Sequence, residues 1–429
     1  MDTSLSTALE LLNASNEHFD LTEPQHQSSL LRLADRLLAI DNLTIQNLND
    51  LSLQFSAPLE FKLAVKLVQS RKETQAICQP VEVSVVFAMW GEQNRLQPKS
   101  SDNPHGEDSL RTKVEQLQWV TEDTNVNWKL YAVDDGCPHG SASIAENIKA
   151  GYDAATSAKI QVLRLADALP VDHGALRNLA CADDSRKGGA IILGCDQSLK
   201  DGVDAVLYTD ADNSVHLGQI GLALAPYNRE GTQVVLGNRK HVDSILVKQE
   251  ERWGVGIKTL RHMQRMIGAQ IFDSGIKDTQ AAFKLYGRNI LEKILENPTV
   301  FDFSFDTDWI FAAMEFNQPI VTVPFAFIDS AAESASVVQG PMTTWYVLLD
   351  GLVKAARARG GDYSEEMADV FTREINSHED LELIINVLPP ELAAAGDSDL
   401  GNPRVMSPQS VRHWITSAKS LSAQPGLHA

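Results

Sequence analysis

The apolar positions of this chain change their spacing twice, and the changes divide it into three stretches. Over residues 1–80, Leu30, Leu33, Ala34, Leu37 and Leu38 recur at helical spacing, as do Phe61, Val65 and Val68. Polar, turn-prone steps at Asp41–Asn42 and Ser56–Pro58 separate the helices. The pattern predicts a small helical cap or oligomerisation unit. After Pro80 it shifts to short β-branched runs: Val83 to Val86, Trp128–Val133, Ile160–Leu165, Ala205–Thr209 and Gln233–Leu236. Helical or loop segments lie between them, which predicts an α/β domain with a mostly parallel central sheet. Ligands of such sheets bind beyond the C-terminal strand ends. Four of the runs lead into polar clusters there: Gly91–Arg95, Asp134–Ser141, Asp210–Ser214 and Gly237–Lys240.

Residues 97–108, rich in Ser, Asn, Pro and Gly, read as a flexible surface loop. Residues 362–388 read as helical, Pro389–Pro390 and Gly396–Pro403 break the pattern, and Ser407–Pro408 opens a last helix. The expected organisation is a helical segment over 1–80, the α/β domain over 81–345 and a helical segment over 346–429.

Composition narrows the function. Among 429 residues, 37 basic side chains face 57 acidic ones, a formal charge of −20. That field repels nucleic acid and anionic membranes, and it argues against reading the tail as a helix-turn-helix. A polyphosphate ligand therefore needs local cations or backbone N–H groups. Cys78, Cys137, Cys181 and Cys195 show no C-x-x-C spacing and read as reduced thiols of a cytoplasmic protein. Met1 to Asn16 lacks the basic and apolar parts of a secretory signal. No apolar run nears the ~18–20 residues that span a bilayer, so no integral membrane segment is expected.

Three clusters carry candidate chemistry. In Asp210-Ala211-Asp212, two acids one residue apart at a strand end share one side of the backbone, and their hard oxygens suit Mg²⁺ or Mn²⁺ bridging to a diphosphate. The plainer alternative is a solvated turn. Asp134-Asp135-Gly136 can accept hydrogen bonds from a base or ribose, or simply form an Asx turn. Ser185-Arg186-Lys187-Gly188-Gly189-Ala190 suits phosphate contact, and equally an ordinary helix start. Neither G-x-x-x-x-G-K-[ST] nor G-x-G-x-x-G occurs, which removes P-loop and dinucleotide readings.

Taken in order, these clusters resemble the family 2 glycosyltransferases of GT-A fold, most nearly the dolichyl- and polyprenyl-phosphate sugar transferases. Val85-Val86-Phe87-Ala88-Met89-Trp90-Gly91-Glu92 resembles the family's V-V-I-P-A-Y-N-E strand. Asp134-Asp135-Gly136-Cys137 resembles D-D-G-S, Lys187-Gly188-Gly189-Ala190 resembles K-G-x-A, and Asp210-Ala211-Asp212 matches D-A-D. Gly237-Asn238-Arg239 is similar to G-S-R, and Asp278 to Leu285 is similar to the D-T-Q-C-G-F-K-L stretch of dolichyl-phosphate glucosyltransferases. Phe305-Asp306-Thr307-Asp308 is similar to F-D-x-E, and Val323-Pro324 to a later V-P strand. The resemblance runs from Val81 to Ser336. Trp90-Gly91 stands where the family has Tyr-Asn, Ala88 where it has Pro, and Ala281-Ala282 where it has Cys-Gly.

The resemblance implies a metal-dependent, inverting transfer of a sugar from a nucleotide diphosphate donor. UDP-glucose is the preferred donor, with GDP-mannose and UDP-N-acetylglucosamine as competitors, and the acceptor is a small-molecule hydroxyl or a lipid phosphate. It places the donor near Ala88, Glu92, Asp134, Asp135, Lys187, Asp210 and Ala211, and the Mg²⁺ or Mn²⁺ on Asp210 and Asp212. Arg239 would stabilise the departing nucleotide, and Asp278 would serve as base or acceptor-positioning residue, the plainer alternative being a helix cap. Lys248, Arg252 and Lys258 could meet an anionic acceptor or form a solvated basic face. The rivals are a sugar nucleotidyltransferase, which wants a basic Gly-rich loop after the first strand, and a catalytically silent nucleotide-sugar-binding protein. The helical flanks leave room for a homodimer.

Overall fold

The computed structural model describes residues 3–54, 56–248, 254–329 and 341–422. Arg252 lies outside them. The five β-branched runs form β1 (Val81–Met89), β2 (Val126–Asp134), β3 (Ile160–Arg164), β4 (Ala205–Thr209) and β5 (Val234–Gly237). Among the described residues four further strands follow: β6 (Ile245–Val247), β7 (Phe283–Gly287), β8 (Ile320–Val323) and β9 (Ala326–Ile328). Seven strands make one sheet in the order β3-β2-β1-β4-β7-β5-β8, and β6 pairs with β9 in a small parallel ribbon. Every neighbour pair of the large sheet is parallel except those of β7, which runs antiparallel between β4 and β5. The sheet is thus mostly parallel and flanked by helices, as the alternation of runs predicts.

Alternation along the strands assigns each face its layer. Val83, Val85 and Phe87 of β1, with Leu130, Leu207 and Phe283, point into one core, and Val86, Tyr131, Val206, Tyr208 and Tyr286 into the other. The first core is shared with helices Pro24–Leu38 and Leu59–Gln75, where Leu30, Ala34, Phe61, Ala64 and Val68 are fully buried. Burying each large apolar side chain contributes about 1.5–3 kcal/mol, so helices at residues 3–75 cover the sheet rather than stand apart from it. The second core takes helix Gly188–Lys200, helix Phe305–Glu315 and the helices that follow Pro341. In the last of these, Pro408–Ser422, the Ser407 hydroxyl accepts the Ser410 amide at 3.2 Å, the expected cap.

Residues 97–108 are exposed for most of their length, but the end of the loop turns inward. Glu107 is 3% exposed and Ser109 fully buried. Among the described residues no helix is long and apolar enough to cross a membrane, and all four cysteines are free.

Candidate functional site

The strand order reverses between β1 and β4. From β1 the chain steps outward to β2 and β3, then returns to the other side of β1 for β4. A crevice opens at such a reversal, at the C-terminal strand ends. Register brings the acids level: Met89 is opposite Asp134, Phe87 is opposite Thr209, and Asp210 is the next residue of β4's end. Because β7 runs the other way, its N-terminal flank, carrying Asp278, arrives at the same end as Arg239 after β5. The structure therefore gathers residues spread over nearly two hundred positions.

At the β2 end the two aspartates differ. Asp134 caps its own turn, accepting the Cys137 amide at 3.0 Å and the Ala142 amide at 3.3 Å. Asp135 holds the next element instead: its carboxylate accepts the Ser185 hydroxyl at 2.6 Å and the Lys187 amide at 2.7 Å. Burial pushes Asp135 up to about 6 against those bonds. Lys187 has φ +79° and ψ −47°, the rare, strained γ-turn region for a residue with a side chain. Two bonds hold it there, the amide to Asp135 and the ammonium to Asp210. Gly188 follows because backbone crowds it; a Cβ there would lie 2.6 Å from the Phe301 carbonyl carbon.

Asp210 and Asp212 have opposite protonation tendencies. Burial works to raise Asp210, and the Lys187 ammonium overrides it, holding the carboxyl below its usual range. Asp212 is raised, by burial first and then by Asp210 beside it. One Asp212 oxygen accepts the Ser214 amide at 3.1 Å, while its main-chain carbonyl accepts the buried Lys113 ammonium. Ala211 between them is 5% exposed. Two hard-oxygen donors crowded at one strand end, one raised by burial and then by its like-charged neighbour, fit a divalent cation that would relieve the repulsion. Among the described residues no group of three or more His, Cys, Asp or Glu could hold such an ion alone. A phosphate and water are the usual further ligands of Mg²⁺.

Arg239 forks onto Asp278. Its Nε donates to Oδ2 at 2.8 Å, Nη2 to Oδ1 at 2.8 Å and the main-chain amide to Oδ2 at 2.9 Å. Burial would raise Asp278, but the guanidinium brings it down to about 2. A carboxylate so occupied is a poor proton acceptor and a good clamp. The Arg239 side chain keeps 23% exposure and lies 5.2 Å over the Phe327 ring.

Ala88 is half-buried at the end of β1, and Glu92 is buried just beyond it. Burial pushes Glu92 up to about 7, although Arg95 donates to both its oxygens at 3.2 and 3.0 Å. Arg95 also pairs with Glu107 at 3.3 Å, and Glu107 accepts the Asn213 amide at 2.8 Å. Arg95 and Lys113 thus face Asp212, with Glu107 behind them; Arg95 ends the polar cluster expected after β1, whereas Glu107 and Lys113 gave no such signal in the sequence. Trp90, 41% exposed, meets His139 edge-on at 5.9 Å on the rim between β1 and β2. Lys258 is spent on the Ala393 and Ala395 carbonyls, at 3.2 and 2.7 Å. Lys248 ends β6's flank at the edge of the described residues.

No family model matches the chain. A dolichyl-phosphate beta-glucosyltransferase of Dictyostelium discoideum is 24% identical over 254 residues, covering 57% of this chain and 65% of its own. The chain thus spans less than two thirds of that curated relative's length. The relative's name falls within the group that the motif order resembles. Among solved structures, glucosyl-3-phosphoglycerate synthase from Mycobacterium tuberculosis, in complex with Mn²⁺, uridine diphosphate and glucosyl-3-phosphoglycerate, is 13% identical with a TM-score of 0.44, covering 70% of this chain and 85% of its own. Mannosyl-3-phosphoglycerate synthase from Rubrobacter xylanophilus is 13% identical with a TM-score of 0.44, covering 69% and 80%.

Proposed function

We propose that this chain, which resembles the family 2 glycosyltransferases in its motifs and in a curated relative, transfers a glucosyl group from UDP-glucose with inversion. The observation that carries the reading is the meeting of Asp135, Lys187, Asp210 and Asp212, with the Arg239–Asp278 fork at the same end of the sheet, where the strand order reverses. Asp210 and Asp212 would hold Mg²⁺ or Mn²⁺. When bound, the ion neutralises charge on the donor diphosphate and on the departing nucleotide.

The chain's own residues supply the rest. Arg239, pre-oriented by Asp278, presents its exposed edge to anionic oxygens without reorganising, the arrangement that stabilises developing negative charge. Lys187 adds a second cation, fixed by Asp135 and Asp210. Ala88, Glu92 and the Asp134–Asp135 turn line the crevice's β1–β2 side, where the nucleoside would lie. Asp278 acts as a positioning residue in this account, since Arg239 occupies both its oxygens.

The test is direct. UDP-glucose, GDP-mannose and UDP-N-acetylglucosamine are each incubated with the protein and Mn²⁺ or Mg²⁺, with nucleotide release followed by chromatography and the anomer of any product by NMR. UDP release from UDP-glucose, abolished by chelator and giving an inverted anomer with a phosphate or hydroxyl acceptor, is the expected result. Nucleotide binding with no release under any acceptor would favour a silent binding protein.

A further inference from the structure

One peptide group of the turn after β4, the bond from Asp212 to Asn213, is gripped at both of its polar atoms. Its carbonyl accepts a hydrogen bond from Lys113 Nζ, and its N–H donates to the Glu107 carboxylate at 2.8 Å. The Asn213 side-chain amide donates to the Glu107 main-chain carbonyl at 2.9 Å, so residues 107 and 213 meet twice. Neither gripping residue belongs to the sheet. Glu107 ends the loop after β1, and Lys113 lies just over one turn into helix Ser109–Thr121. The loop end is itself braced by Arg95. The Arg95 main-chain carbonyl accepts the Glu107 and Ser109 amides at 3.2 and 3.0 Å, and its guanidinium stands 3.3 Å from the Glu107 carboxylate.

Holding a surface loop in place does not account for this arrangement. The Glu107 side chain has no exposed surface, and Lys113 is fully buried. Acids and lysines are almost never buried so completely, because each gives up its hydration. Apolar side chains tie a loop down without that loss. What the grip adds is control of one peptide plane. The backbone turns only about the dihedrals on either side of such a plane, so fixing the plane beyond Asp212 limits where its Cα–Cβ bond points. The Ser214 amide, 3.1 Å from an Asp212 oxygen, then limits the carboxylate itself.

We propose that Glu107 is a positioning residue for the cation site: it holds the Asp212–Asn213 peptide against the Lys113 donor and so aims the Asp212 carboxylate. The inference rests on the reading of the crevice as a metal–nucleotide site. It makes the inner end of a loop that is otherwise exposed a working part of that site. Groups that orient a metal ligand typically carry 10–100-fold in metal affinity.

The experiment is a Mn²⁺ titration by electron paramagnetic resonance in the presence of UDP, beside a calorimetric titration of UDP in chelator. Wild type, Glu107→Leu, Glu107→Gln and Asn213→Ala are compared, and circular dichroism establishes which variants are folded. Glu107→Gln loses the charge but keeps an oxygen for the Asn213 amide, whereas Glu107→Leu loses both. The expected Mn²⁺ affinity is about ten-fold weaker for Glu107→Leu and within about three-fold of wild type for Glu107→Gln. Asn213→Ala loses only the second bond to residue 107 and should bind Mn²⁺ about three-fold more weakly, which keeps the test alive if Glu107→Leu does not fold. UDP affinity in chelator should stay within about two-fold of wild type in every folded variant, because the grip acts on the metal ligand alone. Equal losses of Mn²⁺ affinity in Glu107→Gln and Glu107→Leu would reduce Glu107 to a source of charge and overturn the proposal. Wild-type Mn²⁺ affinity in the folded Glu107→Leu or Asn213→Ala variant would overturn it too, as would a loss of UDP affinity in chelator as large as the loss for Mn²⁺. A wild type that takes up no Mn²⁺ with UDP would instead overturn the metal–nucleotide reading, and this proposal with it.

Discussion

Two forked arginine–aspartate pairs, Arg239–Asp278 and Arg359–Asp308, have nearly the same geometry and different jobs. In each, the guanidinium reaches both carboxylate oxygens, at 2.8 and 2.8 Å in the first and at 2.8 and 3.2 Å in the second. Both aspartates fall in stretches that resemble family motifs. The difference lies in what remains of the arginine. The Arg359 side chain is 6% exposed; its Nη2 donates to the Asn297 carbonyl as well and its Nη1 lies 3.5 Å from Glu315, while Asp308 also accepts from Thr299 at 2.9 and 2.6 Å. That pair is saturated, and it ties helix Pro341–Arg359 to helix Phe305–Glu315. Arg239 keeps an open edge in the crevice. The closed pair has no donor left for a ligand, and the edge left open on Arg239 is what the proposed donor site would use.

The largest expected effect comes from breaking the closed pair. Asp308→Asn takes the buried counter-charge from Arg359, leaving only the half-exposed Glu315 at 3.5 Å, and should cost about 3 kcal/mol in urea unfolding, with turnover per folded molecule unchanged. Next, Arg239→Met should lower kcat by about 10²–10³, and it should also cost stability, because the buried Asp278 loses the fork at 2.8 and 2.8 Å. Wild-type turnover per folded molecule in Arg239→Met, or lost turnover in Asp308→Asn, would erase the distinction between the pairs.

Acid sharpens the comparison. The folded Asp278 carboxyl lies at about 2, below its ordinary value. A depressed carboxylate adds stability that is complete above the unfolded value, ~3.8, and disappears as pH falls toward 2. The stability gap between wild type and Asp278→Asn should therefore shrink by about 2 kcal/mol across that window. His216 acts at higher pH. It is fully buried and pushed down to about 3, by burial first and Lys113 second. The unfolded chain gains a proton near 6.5 that the folded one refuses, so His216 costs stability as pH falls. Its Nδ1 accepts the Gly218 amide at 2.9 Å, an acceptor that asparagine can replace. His216→Asn should gain about 2 kcal/mol on wild type between pH 7 and 5, and an unchanged difference would place the acid sensitivity elsewhere.

The parallel strands and the clusters at their ends were legible because β-branched runs and short-range acid spacings survive in one dimension. The supporting charges were not. Lys113 sits in helix Ser109–Thr121 among Arg111 and Glu115, and it reads as one of a solvated face; only the fold turns it inward beneath Asp212. Strand β7 was hidden for a related reason. Phe283-Lys284-Leu285-Tyr286 has a lysine where a buried strand wants an apolar residue, and the partner that explains it, Asp306, lies on another element. The sequence left Asp278 as base, acceptor-positioning residue or helix cap, because its partner in the fold, Arg239, stands 39 residues earlier.

The central claim is that Asp210 and Asp212 make this crevice a cation-dependent nucleotide site. Isothermal titration of UDP into the protein, with Mn²⁺ and then with chelator, on wild type and on Asp212→Asn, tests it most directly. The account predicts binding by wild type with Mn²⁺, at least ten-fold weaker binding with chelator, and little response to the metal in the variant. Equal affinity with and without the ion, or a variant indistinguishable from wild type, would contradict it.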